Sequence, residues 1–281
     1  LKNKGFWLVA LLCVLFYSGV FPFLYYATDL MINKYNVDPE FAGAIPSLLP
    51  FGTIILTPLF GSIYDRKGKG ATIMLIGSIM LLIVHLFFSI PSLNHYFAAI
   101  ILIIFLGITF SLVPSAMWPS VPKIIPEKQL GTAYALIFWV QNWGLMGMPL
   151  LIGWALDKTN PEVLAAKAAG TTIPPYDYTV PMMIFAGTGF LAIIVALMLK
   201  AEDKKKEIKS IIKILPQPND EDLDSDECGK TISYDEFKKI YRNMPNAEMK
   251  MMVKTLFATG MRITELHNII QGKIKFIHKK I

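Results

Sequence analysis

Cysteine is nearly missing from this chain: 281 residues contain two, Cys13 inside an apolar run and Cys228 in an acidic stretch. That excludes a disulfide framework and a Cys-x-x-Cys metal site. The four histidines (His85, His95, His267, His278) have no metal-ligand spacing either, so neither a metal nor a cofactor is expected. Charge is also scarce, and unevenly so. Charged residues make up 17% of the chain against 54% hydrophobic ones, with a mean hydropathy of +0.48, too apolar for an ordinary soluble protein of this length. Residues 200–281 hold 17 of the 27 Lys and Arg and 13 of the 21 Asp and Glu, which leaves the first 199 almost without charge. The net charge of +6 is therefore no nucleic-acid signature by itself, because membrane proteins acquire a basic balance through their loops.

What fills the uncharged part is a series of long apolar runs. A helix needs about 20 apolar residues to cross the hydrocarbon core, and the runs 6–32, 42–64, 71–90, 96–122, 131–155 and 178–199 qualify. Turn or charge signals separate them: Asn33-Lys34, Asp65 to Gly70, Pro91 to His95, Lys123 to Gln129, and Asp157 to Asp177. The predicted fold is all-α, a polytopic membrane six-helix bundle over residues 1–200 followed by a small soluble helical tail. An even number of crossings puts both ends on one side. Segments on that side carry twelve cations (Lys2, Lys4, Arg66, Lys67, Lys69, Lys123, Lys128, Lys200, Lys204, Lys205, Lys206, Lys209), and those opposite carry three (Lys34, Lys158, Lys167). The positive-inside bias makes both termini cytoplasmic. The run from Phe6 is too long for a signal peptide and has no small-residue cleavage pattern. The chain opens on Leu-Lys-Asn-Lys without Met, so it is expected to begin partway through a longer protein.

The turn after the second run reads Gly61-Ser-Ile-Tyr-Asp65-Arg66-Lys67-Gly68-Lys69. Glycines permit close helix approach, and Asp65 can sit near a helix end or pair with a cation during gating. Six spans with this Gly-x-x-x-Asp-Arg-x-Gly-Lys turn resemble one half of a major facilitator superfamily transporter. A second stretch narrows the resemblance. Ala116-Met-Trp-Pro-Ser-Val121, Ile125-Pro-Glu-Lys-Gln-Leu-Gly-Thr-Ala-Tyr134 and Gln141-Asn142-x-Gly144-Leu145 look like the lysosomal dipeptide carriers of that superfamily and their bacterial relatives. Phe16-Tyr17 and Val20-Phe21-Pro22-Phe23 agree with the seventh helix of the same group. The resemblance covers residues 6–200 and the carboxy-terminal half. It implies a carrier for a small-molecule solute, with short peptides as one candidate class, working by alternating access. The partners it implies are membrane lipid and a missing amino-terminal half.

Polar groups at bilayer depth are expensive unless they line water, pair up or bind something. Three faces carry them. Tyr17, Phe21 and Tyr25 recur at i, i+4 and i+8 on the first helix. Ser111, Ser115 and Trp118 recur on the fourth, beside Pro114 and Pro119, which remove backbone donors and bend the helix. Tyr134, Phe138 and Gln141 recur on the fifth, with Asn142 adjacent. The resemblance assigns the first and fourth helices to the solute cavity, so Tyr17, Tyr25, Ser115 and Trp118 are the favoured lining residues. Gln141 and Asn142 are expected to contact a neighbouring helix or the other half, with a direct role towards solute as the lesser reading. The bland alternatives are an interfacial aromatic belt and serines bonded to their own helix. Asp29 lies near the outer end of the first helix. His85, in a peripheral third helix, is expected to be structural. Facilitated diffusion fits these residues at least as well as proton coupling.

Beyond Lys200 the composition changes. Residues 201–230 read as a charged linker, disordered by composition. From 231 to 281 a helical pattern returns, with a capping box at Ser233-Tyr-Asp-Glu236 and helices at 233–243 and 246–258. Leu256-Phe-Ala-Thr-Gly-Met-Arg262-Ile-Thr-Glu-Leu266 resembles the start of a tyrosine recombinase catalytic domain, with Arg262 in the place of that family's first arginine. The tyrosine nucleophile and most of the remaining catalytic residues are missing before Ile281, so no catalysis by this chain is expected and DNA is an unlikely partner. A remnant of a mobile element implies a bacterial source and the bacterial inner membrane. The alternative reading is a membrane-tethered, catalytically incomplete DNA-binding protein.

Overall fold

Asn3 begins the first helix: its side chain accepts from the Gly5 N–H, and α1 (Lys4–Tyr35) runs 32 residues until Asn36, in the left-handed region at φ 52°, returns its N–H to the Met31 carbonyl. The computed structural model describes residues 3–214, which contain no strand. After α1 come a short α2 (Pro39–Ala42), α3 (Ala44–Lys67), α4 (Gly70–Ser89), α5 (Tyr96–Ile124), a 3-10 turn (Glu127–Gln129), α6 (Leu130–Thr159), α7 (Pro161–Ala169) and α8 (Thr179–Ile214). Six segments are long and apolar enough to cross a membrane, one for each predicted run: Lys4–Tyr35, Pro39–Lys67, Gly70–Ser89, Tyr96–Ile124, Glu127–Thr159 and Thr179–Lys205. The architecture is the expected all-α polytopic bundle.

Most helices overrun their apolar stretches, because the end of the hydrocarbon does not end the hydrogen-bond ladder. α8 continues through Ala201–Lys206 to Ile214, where a linker was expected. Lys, Glu and Ala are strong helix formers, so charge alone does not stop it. The chain divides after Lys204, and the six-span unit is residues 1–204. The recombinase-like segment, its two expected helices and Arg262 lie outside the described residues.

Within the six-span unit α1 is the hub. Two-thirds of its apolar core is buried (67%), against 17% for the α2–α3 span and 22% for the α6 span. α6 packs along α1, while α5 lies between α3 and α4 and also touches α1. α8 closes on α1 and α4: Phe185 sits at 6.0 Å from Phe23 and 5.3 Å from His85, centroid to centroid. Hydrocarbon supplies no hydrophobic push between helices, so association depends on close backbone approach at small residues. A Cβ on Gly144 of α6 would fall 2.5 Å from the Val14 side chain and 2.2 Å from Ser18 Oγ in α1. One on Gly77 of α4 would fall 2.2 Å from Val113 in α5. At Gly189 in α8 the obstacle is backbone, Leu82 N at 2.8 Å and Cα at 2.9 Å.

Buried hydroxyls on the peripheral helices are satisfied locally. Ser78, Thr109 and Ser111 donate to the carbonyls of Met74, Phe105 and Gly107, four residues back in their own helices. Seven prolines sit inside α1, α3, α5 and α6. Each removes a donor, a loss that membrane helices tolerate when neighbouring groups re-satisfy the freed carbonyls.

Gly189→Ala forces a methyl against the Leu82 backbone, which cannot yield, and is expected to cost about 1–3 kcal/mol. Gly61→Ala, with nothing within 4 Å of the added atom, should be neutral or gain up to about 1 kcal/mol from helix propensity. Thermal unfolding of the two variants in lipid nanodiscs checks both. Equal effects would show that close approach at Gly189 is not what holds α8 to α4.

Candidate functional site

Tyr17, buried in α1, is the inner end of an aromatic cluster built by α1, α5 and α6. Its hydroxyl accepts the Trp118 Nε1–H at 2.9 Å. The Tyr17 ring stacks on Phe21 (5.5 Å, 25°) and meets Phe110 (5.6 Å, 75°) and Trp118 (6.3 Å, 76°) edge to face. Trp118 in turn stacks on Phe138 (5.0 Å, 26°) and lies 5.9 Å from Tyr134. The Tyr134 hydroxyl reaches towards the Trp118 carbonyl at 3.4 Å, a long bond. Burial falls away along the cluster, from Tyr17 through half-buried Trp118 to Phe138, which is 49% exposed. Such ring pairs contribute about 0.5–1.5 kcal/mol each beyond area burial. The Trp118–Tyr17 hydrogen bond between helices adds on average about 0.6 kcal/mol. Stacking outweighs it, and the bond supplies orientation.

Of the other predicted cavity residues, Ser115 is buried in α5 and donates to the Leu112 carbonyl of its own helix at 2.7 Å. Gln141 is buried and accepts Cys13 Sγ–H at 3.2 Å, which ties α6 to α1. Asn142, one residue on, is exposed and donates to the Phe138 carbonyl at 2.8 Å. Tyr25 is 70% exposed and stands apart from the stacked rings. Structure thus joins Tyr17 to Trp118, leaves Ser115 bonded within α5, brings Gln141 to α1 by another contact, and leaves Tyr25 and Asn142 on the surface.

The Gly61–Lys69 turn closes α3. Gly68 takes φ 65° and ψ −127°, a region open in practice only to glycine, and its N–H bonds the Tyr64 carbonyl at 2.8 Å. Gly61 does not mediate a close approach within this unit, since nothing lies within 4 Å of a Cβ placed there. Asp65, Arg66 and Lys69 are exposed and make no ion pair among the described residues. The anchor is a residue the sequence reading passed over. Tyr64, inside the motif, is buried; its hydroxyl bonds Ser120 Oγ at 3.0 Å, and Lys123 Nζ sits 4.1 Å over its ring. Both partners lie on the last turns of α5, so the motif is docked on the helix that carries Trp118.

At the opposite end of the bundle, the 160–178 segment is pinned to α1. Tyr178 donates its hydroxyl to Asp29 Oδ2. Asn33 Oδ1 accepts the Tyr176 N–H at 2.9 Å, and buried Asn160 accepts the Asp177 N–H at 2.6 Å. Lys167 Nζ donates to the Tyr176 hydroxyl at 2.8 Å, which raises the Lys167 pKa. Burial first, and the Asp29 carboxylate second, push the Tyr178 hydroxyl well above the usual phenol range.

Six spans packed on one hub helix define an all-α polytopic membrane bundle. Comparison with known proteins makes the class specific. The model of the Major Facilitator Superfamily matches residues 6–261, and the chain belongs to that superfamily. It is an integral membrane protein. It is 33% identical over 155 residues to the lysosomal dipeptide transporter MFSD1 of Gallus gallus, covering 55% of this chain and 34% of that protein. With the Homo sapiens protein of the same name it shares 32% over 152 residues, 54% of this chain and 32% of the relative. The Mus musculus protein is 34% identical over 151 residues, again 54% against 32%. The matched region spans about a third of the length of these relatives. The superfamily match continues past residue 200 into the stretch resembling a recombinase, and that second resemblance finds no support in these comparisons.

Two outcomes test the site's geometry. Because the raised Tyr178 pKa means that the folded form holds the proton more tightly, its contribution is complete below about pH 10 and is lost as pH rises above it. Alkaline unfolding curves should therefore fall less steeply above about pH 10 for Tyr178→Phe than for the parent chain; equal slopes would remove Tyr178 from the account. Tyr64→Phe, which keeps the ring under Lys123 but loses the bond to Ser120, is expected to cost about 0.5–1.5 kcal/mol in thermal unfolding.

Proposed function

We propose that this chain forms one lobe of an alternating-access carrier for a small organic solute, short peptides foremost, and corresponds to the carboxy-terminal half. The observation carrying this is the aromatic cluster: rings grade from buried Tyr17 to Phe138, 49% exposed, across α1, α5 and α6, and only 22% of the α6 span is buried within its own unit. Sites in this kind of fold lie at mid-membrane between lobes. One lobe supplies Tyr17, Trp118 and Ser115 as wall, with Tyr25 and Asn142 on exposed positions where a second lobe or solute could meet them. Gln141 keeps α6 in register through Cys13. The least buried spans, α3 and α6, are the faces a second lobe would cover. The relatives named as dipeptide transporters support the peptide class.

No charged side chain takes part in the ring cluster or in the hydrogen bonds around it. This wall therefore suits the uncharged part of a solute, with any recognition of an ammonium or carboxylate falling to the opposing lobe. The twelve-to-three cation bias supports cytoplasmic termini for the six-span unit, and the exposed Asp65–Lys69 turn then faces the cytoplasm as a gating element. A bacterial plasma membrane rests on the recombinase resemblance alone. The rival reading, a membrane-tethered DNA-binding protein, has nothing in its favour among the described residues.

Co-expressed with its matching amino-terminal half, the chain should restore dipeptide uptake into vesicles. Trp118→Ala should lower that uptake about tenfold, the equivalent of about 1.4 kcal/mol. Uptake that is indifferent to this chain, or unaltered by Trp118→Ala, would falsify the assignment.

A further inference from the structure

α4 contributes nothing to the aromatic cluster, yet it holds the most enclosed ionisable side chain of the six-span unit. His85 has no exposed surface, and its Nε2 lies 2.8 Å from the Gly19 carbonyl oxygen of α1. A carbonyl has no hydrogen to give, so Nε2 carries the proton and Nδ1 is bare. Nδ1 is buried without a partner, a cost the fold bears in order to place the proton on the other side of the ring. The imidazole is clamped in that pose: it stacks on Phe185 (5.3 Å, 24°) and meets Phe23 edge to face (5.3 Å, 67°).

One residue before Gly19, α1 is short of a donor. Pro22 has no N–H, so the Ser18 carbonyl loses its helical partner, and Ser18 Oγ is itself buried without one. The same level is squeezed from three sides. A Cβ at residue 19 would stand 2.8 Å from Thr188 Oγ1 of α8 and 3.0 Å from Leu81 of α4, while Gly144 of α6 presses on Ser18. Only a residue without a side chain lets the imidazole reach this carbonyl. Tyr17 and Phe21 flank Gly19, two residues to either side.

We propose that His85 fixes the position of α1 at the Gly19 carbonyl and thereby seats Tyr17 against Trp118, acting as a positioning residue from a helix remote from the cluster. It bears on transport only if the carrier reading holds, but the contact itself is testable without transport. A side chain that merely fills space would be replaced by any ring of similar shape. A positioning residue needs its donor.

The experiment uses the full chain in lipid nanodiscs, with His85→Phe to keep the ring and remove the donor, and His85→Gln to keep an N–H at similar reach. Amide hydrogen exchange at Phe23, whose helical acceptor is the Gly19 carbonyl, should quicken tenfold or more in H85F and stay within twofold of the parent in H85Q. Exchange across residues 102–107 of α5 should be unaltered in both. In a double-mutant cycle, the fall in unfolding temperature caused by Trp118→Phe should be at least halved in the H85F background. Additive effects of H85F and W118F, or exchange at Phe23 that is unchanged in H85F or loosened equally in both variants, would overturn the proposal. Nitrogen NMR of the histidine-labelled parent chain needs no variant: a buried ring protonated at Nε2 and bare at Nδ1 is expected, and a proton on Nδ1 would also overturn it.

Discussion

Everything in this bundle depends on how closely other helices can approach α1. Lipid tails are as apolar as leucine, so burial gives no net drive to assemble helices in a bilayer. What remains is dispersion across tight crossings and a few interhelical hydrogen bonds. The structure concentrates both at one level of α1, between Val14 and Phe23. Gly144 brings α6 onto Val14 and Ser18, Gly19 admits Leu81 and Thr188, and His85 bonds the Gly19 carbonyl. One turn away, Tyr17 accepts from Trp118. Packing of the hub and presentation of the aromatic wall are thus consequences of the same short segment.

That arrangement has a direct bearing on what the unit can do. Peripheral helices hold their polar groups in local bonds, as Ser78, Thr109 and Ser111 do. Around α1 the polar contacts cross between helices instead, at Gln141, Trp118 and His85. Each end of the hub is tied differently. At one end Asn3 donates to the Ile124 carbonyl and Tyr64 docks the motif turn on α5. At the other, Asp29 and Asn33 hold the 160–178 segment. The six-span unit is thus tied at both ends as well as along its hub.

Much of the fold was readable because the bilayer imposes a length and a composition. Six apolar runs gave six spans, and the errors fell at boundaries, as in α8, where Lys and Glu continue a helix that a hydropathy reading ends. The site was legible only in part. Tyr17 and Trp118, which the resemblance put on cavity-lining helices, meet in one cluster, but Tyr25 does not join them. At 3.6 residues per turn, eight residues overshoot two turns by about 80°, so Tyr17 and Tyr25 do not share a face. Neighbours Gln141 and Asn142 stand about 100° apart for the same reason, so only one of them meets α1. Gly61 was expected to serve close approach and faces open space in this unit, whereas Tyr64, hidden inside the same motif, does the anchoring. Nothing in sequence spacing pairs His85 with Gly19, 66 positions away, because that contact is decided by which face of α4 meets α1.

The central claim is that these helices cross a membrane six times, with the Gly61–Lys69 turn and both ends of the six-span unit on one side. It is tested most directly by single cysteines placed in a background with Cys13 and Cys228 replaced by serine, labelled from each side of sealed vesicles with an impermeant maleimide. Cysteines at Lys69, Lys128 and Lys200 should react from the cytoplasmic side only, and those at Asn36, Tyr96 and Thr171 from the opposite side only. Labelling of positions 69 and 171 from the same side would contradict the account.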